Sequence, residues 1–433
     1  MSGTSSGLGE VEIKSLKWGN IDLNNKDCLF SAILISENIL EPRGPFCSVV
    51  AKDFSDAIGK NKANGGFNED IEIKLKTTLG STGLMGSNGG ELSFKFKPLM
   101  NKNNKDNSQS GRASGRYKEF TLMGCSEEYL KSQKVYQKSY FDTTSNMVKD
   151  LLEKGYGTKK KVNVSETEGK VRYTVDNKNP TEALSALTEE HVSSNYKSSC
   201  YVCFQKSGDN GKEAEYHFKT FEEMFEQSPV AKYKARTTNM TSSASLSDKQ
   251  FHILNMNVPD SFFAATRPFS KASAAYVNLS THSVHRKNSE EKKFNLPDQP
   301  TYNGQTSYTE DKSVPVYGLN DSVNNKEKRR VSDVKRDRAE FLSHLVQNSA
   351  EIEIIGNPSV KLGSMIELEI PKRTQEDPSS GEPQFNGKAL VVAIKHIVRP
   401  PNGPTPRYTM KLRLVKASYK QGGDDAWFEN RRS

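Results

Sequence analysis

The chain has 433 residues, 34% hydrophobic and 27% charged, with a formal net charge of +9, an isoelectric point near 9.0 and a mean hydropathy of -0.73. That length predicts about three domains with the core divided among modest units, and no stretch approaches the roughly 18 apolar residues of a membrane-spanning helix, so no direct membrane span is expected. The opening MSGTSSGLGEVEIK lacks the basic start and apolar core of a secretory signal, so synthesis in the cytosol is expected.

Cys28, Cys47, Cys125, Cys200 and Cys203 form an odd set spread over separate segments, which argues against a disulfide framework. The positive charge admits an acidic partner, nucleic acid included, without identifying one.

The first region, residues 1–115, reads as a β-barrel. Ile71, Ile73 and Leu75 alternate with Glu72, Lys74 and Lys76, and Leu92, Phe94 and Phe96 alternate with Ser93, Lys95 and Lys97, the period of half-buried strands. The glycine-rich LGSTGLMGSNGGE between them suits a long hairpin tip, and residues 101–115 read as a polar linker.

Residues 116–235 read as a mixed α/β domain. Met147, Val148, Leu151 and Leu152 have helical spacing, with Thr144 or Ser145 as cap and Gly155 as the left-handed end. Asn179, Pro180 and Glu182 form a capping-box start for a helix running to about His191. Cys200 to Gln205 reads as a strand that returns through Ser207-Gly208-Asp209-Asn210-Gly211 to a second strand from Tyr216 to Thr220.

Residues 236–420 read as a second β-barrel. It has a strand from Phe251 to Val258, a helix from Arg336 to Gln347 and a strand-turn-strand spanning Ile352 to Ile370. A hairpin of Leu390–Val398 with Tyr408–Val415 completes it, and residues 259–335 form an irregular insertion. Residues 421–433 form a C-terminal tail. There Trp427 and Phe428 follow a Gly-Gly pair and read either as an anchor for a partner or as two aromatics in an unanchored tail.

Cys200-x-x-Cys203 has the spacing of a zinc or redox pair, but no second CxxC, CxxH or HxxC accompanies it. A strand also points residues three apart to opposite faces, so both are read as packed cysteines. His282-x-x-His285 lies in a polar segment with no acidic partner at helical spacing, and His191, His217, His252, His344 and His396 are scattered. Gly86, Gly89 and Gly90 form no phosphate-binding loop, and no serine-nucleophile elbow is present. The run Lys326, Lys328, Arg329, Arg330, Lys335, Arg336 and Arg338 reads as a solvated approach to a helix, with an acidic protein surface or phosphate as the alternative partner. The residues therefore predict no catalytic, cofactor-binding or metal-binding site, and a protein that is not an enzyme.

The order of elements from Lys170 to Ala235 is an N-P-x-E-A-L helix, an apolar strand, a Gly/Asp hairpin, a Y-x-F-K-T-F-E-E-M return and S-P-V. It resembles the middle of the central baseplate hub protein of contractile-tailed, T-even-like bacteriophages. The resemblance extends upstream through Tyr117 to Gly155 and downstream through EIEIIGNPSVKLGSMIELEIP and LVVAIKHIVRPPNGPTPRYTMKLRLVKASY, about half of the chain in all. It implies an α+β, β-dominated fold of two tail-tube-like β-barrels flanking a mixed α/β domain, although no matching residues reveal an internal repeat.

The resemblance further implies a homotrimeric ring of pseudo-sixfold symmetry that joins a sixfold tail tube to a trimeric cell-puncturing spike. DNA would pass through its channel without sequence-specific binding. The implied partners are the tail-tube or tube-initiator protein, the spike and the surrounding baseplate proteins, in the tail baseplate of a virion assembled in the host cytoplasm. The chain reaches Ser433 without a β-helical needle, so the spike is expected to be a separate polypeptide. Competing readings are a peptidoglycan-cleaving tail enzyme, the hub of a non-phage contractile injection system and a free nucleic-acid-binding protein.

Overall fold

A computed structural model describes residues 10–63, 68–77, 90–106, 117–189, 193–195, 200–208, 213–235, 250–257, 274–278, 283–287, 316–319, 323–324, 329–330, 334–335, 338, 341–342, 345, 349–370, 386–400 and 407–416. The fold is β-dominated. Its first barrel begins with β1 (Val11–Trp18), β2 (Ile21–Asp22), β3 (Cys28–Asn38), β4 (Phe46–Asp53), the short helix α1 (Ala57–Ala63) and β5 (Ile71–Thr77). It ends with β6 (Glu91–Asp106) and β7 (Lys118–Cys125), in the strand order β2-β1-β5-β6-β7-β4-β3. Leu23 closes the ring, because its N–H donates to the Leu16 carbonyl at 2.8 Å and its carbonyl accepts from Phe30 N–H at 2.9 Å. Ile71, Ile73 and Leu75 face the interior while Glu72, Lys74 and Lys76 stay partly exposed, the alternation expected of a strand with one face on the core.

Two boundaries differ from the sequence reading. β6 pairs with β5 through Phe96 and then with β7 from Lys97 to Asp106, so the first six residues of the expected linker are strand. That polar run carries no apolar alternation to betray it; its backbone groups are satisfied by the neighbouring ladder instead. β7 begins at Lys118, inside the expected middle domain, yet pairs with β4 and β6 and turns Phe120 and Leu122 into the first barrel.

The middle unit contains α2 (Glu127–Lys131), β8 (Tyr136–Asp142), α3 (Thr144–Asp150), a π-helical turn over Leu151–Gly155, β9 (Val162–Val164) and β10 (Val171–Lys178). It continues with α4 (Pro180–Glu189), β11 (Tyr201–Lys206), β12 (Glu215–Thr220) and α5 (Phe221–Phe225). The capping box at α4 forms reciprocally: Glu182 N–H donates to Asn179 Oδ1 at 2.9 Å, and Asn179 N–H donates to Glu182 Oε2 at 3.2 Å. At α3 the cap is Thr143, one residue before the expected pair, with its Oγ1 accepting from Asn146 N–H. The left-handed residue is Gly157 rather than Gly155. The π turn carries the chain past Gly155, whose missing Cβ lets Pro180 approach; a methyl there would sit 3.1 Å from its ring.

The second barrel is built from β13 (Lys232–Ala235), β14 (Gln250–Asn257), and, after the insertion, β20 (Ser349–Ile355), β21 (Met365–Glu369), β22 (Gly387–Arg399) and β23 (Arg407–Val415). The insertion is not wholly irregular. β15 (Ala274–Asn278), β16 (Ser283–Lys287) and β17 (Val316–Leu319) form one small sheet, and β18 (Val323–Asn324) pairs with β19 (Arg329–Arg330). These strands are too short for a period-2 pattern to stand out in the sequence. The order β22-β21-β13-β14-β20-β23 closes because β23 pairs again with β22. Val334, Phe341 and Leu345 occupy buried helical positions in the expected 336–347 helix and its approach, with Leu342 half-buried.

Gly356 ends β20 against the ring of Tyr408, where an added Cβ would lie 1.8 Å from the ring carbon Cδ1. Tyr408 is buried and held by a hydrogen bond to His396, so it cannot yield. Gly356→Ala is expected to cost about 3 kcal/mol by overpacking, read as a lower urea midpoint.

His217 on β12 stacks 5.6 Å from Phe204. Burial, with Lys206 and Lys219 nearby, lowers its pKa to about 4. The unfolded chain therefore takes up a proton near pH 6.5 that the native chain refuses until about pH 4, and stability falls as pH drops through that window. The contribution lost is on the order of 2–3 kcal/mol. His217→Gln should show that much less loss between pH 7 and pH 4.5 than the wild type in urea unfolding; an unchanged difference would refute the assignment.

Candidate functional site

The two barrels meet edge to edge. β3 pairs with the second half of β22 in register, from Ala393 opposite Asn38 to Val398 opposite Ile33, while the first residues of β22 pair with β21. One strand thus belongs to both barrels, and a thirteen-stranded sheet runs through the molecule. A single apolar core carries side chains from both, including Ile33, Ile35 and Val49 of the first and Ile394, Met410 and Leu412 of the second.

A polar cluster is buried at this seam. Glu37 on β3 is 4% exposed, His396 on β22 4% and Tyr408 on β23 1%. His396 Nδ1 lies 2.6 Å from Tyr408 Oη, and His396 Nε2 lies 3.8 Å from Glu37 Oε2. Burial first, and then Glu37 and Tyr233, hold the Tyr408 phenol well above its ordinary pKa, so it keeps its proton. We assign that proton to the hydrogen bond onto His396 Nδ1, which puts the imidazole proton on Nε2 toward Glu37. Ser207, at the end of β11, donates to Glu37 Oε1 and brings the middle unit into the same cluster. Phe94 of β6 covers the imidazole edge at 5.6 Å. The cluster is sealed from solvent, so its role is to lock three parts of the chain in one relative position.

The middle unit docks through a strand buried on both faces. Along β11, Tyr201 and Cys203 point into the core made by α3, α4, β10 and β12, whereas Val202, Phe204 and the preceding Cys200 point into the barrel core. Cys200 and Cys203 therefore lie on opposite sides of the strand, and the pair forms no single site. α5 adds Phe221, Met224 and Phe225 to the barrel core, and Phe204 packs on Gly363, where a Cβ would meet the ring at 2.7 Å. Gly363 also has φ +74, a left-handed conformation that favours glycine.

Among the described residues, no group of three or more His, Cys, Asp or Glu side chains is placed to hold a metal ion. All five cysteines are buried thiols, and burial pushes Cys125 up to about 11 and Cys28 to about 12. Trp427, Phe428, His282 and residues 326–328 of the basic run lie outside the described residues. Arg338, at the end of that run, is inside the fold, donating to the Tyr201 carbonyl. Sequence reasoning missed Glu37 because it lies within the apolar run CLFSAILISEN; its signal was the one acid at an inward-facing position of that strand.

Tyr408→Phe should lower stability by about 1 kcal/mol, the worth of one hydrogen bond. His396→Ala should cost more, about 3 kcal/mol, since it opens a cavity in the core and leaves the buried Tyr408 hydroxyl without its partner. Urea unfolding at pH 7 separates the two; equal small losses would mean that the cluster does not hold the seam.

No protein-family model matches the chain, and no curated protein sequence matches it. Solved structures do. A tail protein from Neisseria meningitidis MC58 superposes with a TM-score of 0.51 at 11% identity, covering 94% of this chain and 96% of that one. The 43 kDa tail protein of prophage MuSo2 from Shewanella oneidensis gives 0.49 at 11% identity, covering 94% and 98%. The E. coli c3393 protein, described as a component of the type VI secretion system with structural similarity to T4 bacteriophage tail proteins gp27 and gp5, gives 0.48 at 9% identity, covering 96% and 79%. The likeness to the Neisseria protein shows that this chain has the fold of a tail protein over nearly its whole length.

Proposed function

We propose that the chain is a structural hub of a contractile phage tail, a homotrimeric ring that joins a sixfold tail tube to a trimeric spike. The observation that supports this most directly is the β3–β22 pairing, which fixes two barrels side by side in one sheet. A rigid chain with two barrels gives a trimer six barrel positions on one side and three chain positions on the other, which is what a sixfold-to-threefold junction needs. The middle unit, anchored by β11 and α5, decorates that ring.

On this reading the protein performs no catalysis. Its partners are a second and third copy, the tube or tube-initiator protein, the spike and neighbouring baseplate proteins. DNA passes through the ring, and the protein resides in the virion tail. Trp427 and Phe428 act as a partner anchor.

Light scattering on the purified chain should give a species of about three times the 48.3 kDa chain mass, with the mass of the spike trimer added when a candidate spike protein is present. Electron micrographs of that species should show threefold and sixfold views of one ring. A monomer persisting in the presence of spike protein would sink the proposal.

A further inference from the structure

Charged residues that face one another across the strands of this molecule follow a rule. Lys52 lies opposite Glu119, Glu72 opposite Lys95 and Lys234 opposite Glu369. The cross-strand charged pairs on the other described ladders are likewise of opposite sign. The β22–β23 ladder breaks the rule twice, with Lys395 opposite Lys411 and Arg399 opposite Arg407. Like charges directly opposite each other destabilise a sheet, so this stretch carries a cost that the other described ladders avoid.

The four side chains share one outward face. His396, Val398, Tyr408, Met410 and Leu412 alternate with them and fill the barrel. Arg413 extends the same row, two residues beyond Lys411, and all five basic residues are exposed. Among the described residues the one carboxylate within ion-pair distance of them is Glu353, 3.9 Å from Lys411. Along each strand, alternate outward positions are spaced about 7 Å apart; Glu353 and Glu351 lie opposite Lys411 and Arg413 on the β20 side and Glu10 bridges Arg407, so the positive charge is strongest along the β22 side of the strip, at Lys395 and Arg399.

We propose that this face of β22 and β23 binds the phosphate backbone of nucleic acid without reading its sequence. Charge complementarity requires an anion that extends along the strip, and the two like-charged pairs supply the positive field. The side chains between the charged rows are Thr409 and Ile397, neither an aromatic platform for stacking bases. A protein partner fits this face less well. Protein interfaces depend on apolar anchors at their centre, and the central Ile397 is only 5% exposed. The proposal goes beyond passage of DNA through a ring and does not depend on the ring, since the strip lies within one chain.

The test is fluorescence anisotropy with a labelled duplex of about 20 base pairs and mixed sequence, titrated at several salt concentrations on the full chain. Each phosphate contact contributes about 0.9 to the slope of log K against log salt, so Lys395→Gln/Lys411→Gln should lower the slope by about 2. Lys131→Gln/Lys134→Gln, which removes the same charge around the end of α2, should leave it unchanged. Without DNA, the first variant should also melt at a higher temperature than wild type, because a repulsive pair is gone. Absence of wild-type binding, an equal slope in the two variants, or tighter binding of poly-glutamate than of duplex would each overturn the proposal. The anisotropy reads binding whatever the oligomeric state, so failure here is distinguishable from failure of the trimer.

Discussion

Everything else in the molecule depends on the ladder between β3 and β22. A β-barrel removes its own edges by closing, yet here β22 is longer than its partner β21 and keeps a free stretch of edge beyond Leu390. β3 fills that stretch from Ala393 to Val398. The pairing satisfies backbone groups that would otherwise face solvent or another chain, and it merges two apolar interiors into one core. Because the ladder is antiparallel and both strands are flanked by further strands, the barrels are held in a fixed register rather than tethered by a hinge.

The buried Glu37, His396 and Tyr408 sit where that ladder meets β23. A carboxylate and an imidazole inside an apolar core add little net stability by themselves, since desolvation offsets their attraction. Their value is directional. Sliding β3 by one residue along β22 would turn Glu37 outward, strand the imidazole and break the Ser207 contact. The cluster therefore penalises wrong registers between barrels more than it strengthens the right one.

Much of the fold was legible where the signal is local. The alternation in β5 and in the first half of β6, the capping box at α4 and the hairpin of β22 with β23 all rest on side-chain periods of two or 3.6 residues within one segment. The split of Cys200 and Cys203 to opposite faces follows from the same period. Legibility failed where the partner, not the segment, decides. Residues 101–106 are polar and look like linker, but β7 supplies their hydrogen bonds. β7 itself was placed with the residues that follow it in sequence, while its ladders bind it to strands that precede it. Gly155 looked like a helix end, yet its glycine serves the approach of Pro180 from another helix.

By itself, then, the sequence determined the strands and helices that carry an apolar period, such as β5, the first half of β6 and α4, the inward and outward faces of those elements and the absence of a spaced zinc motif, because each depends on neighbours within a few residues. The tertiary structure alone decided which strands pair, that one strand serves two barrels, that Glu37 is buried and that like charges face each other across β22 and β23. Those outcomes depend on register between segments far apart in the chain, and a residue's own neighbours carry no information about the strand that will lie beside it.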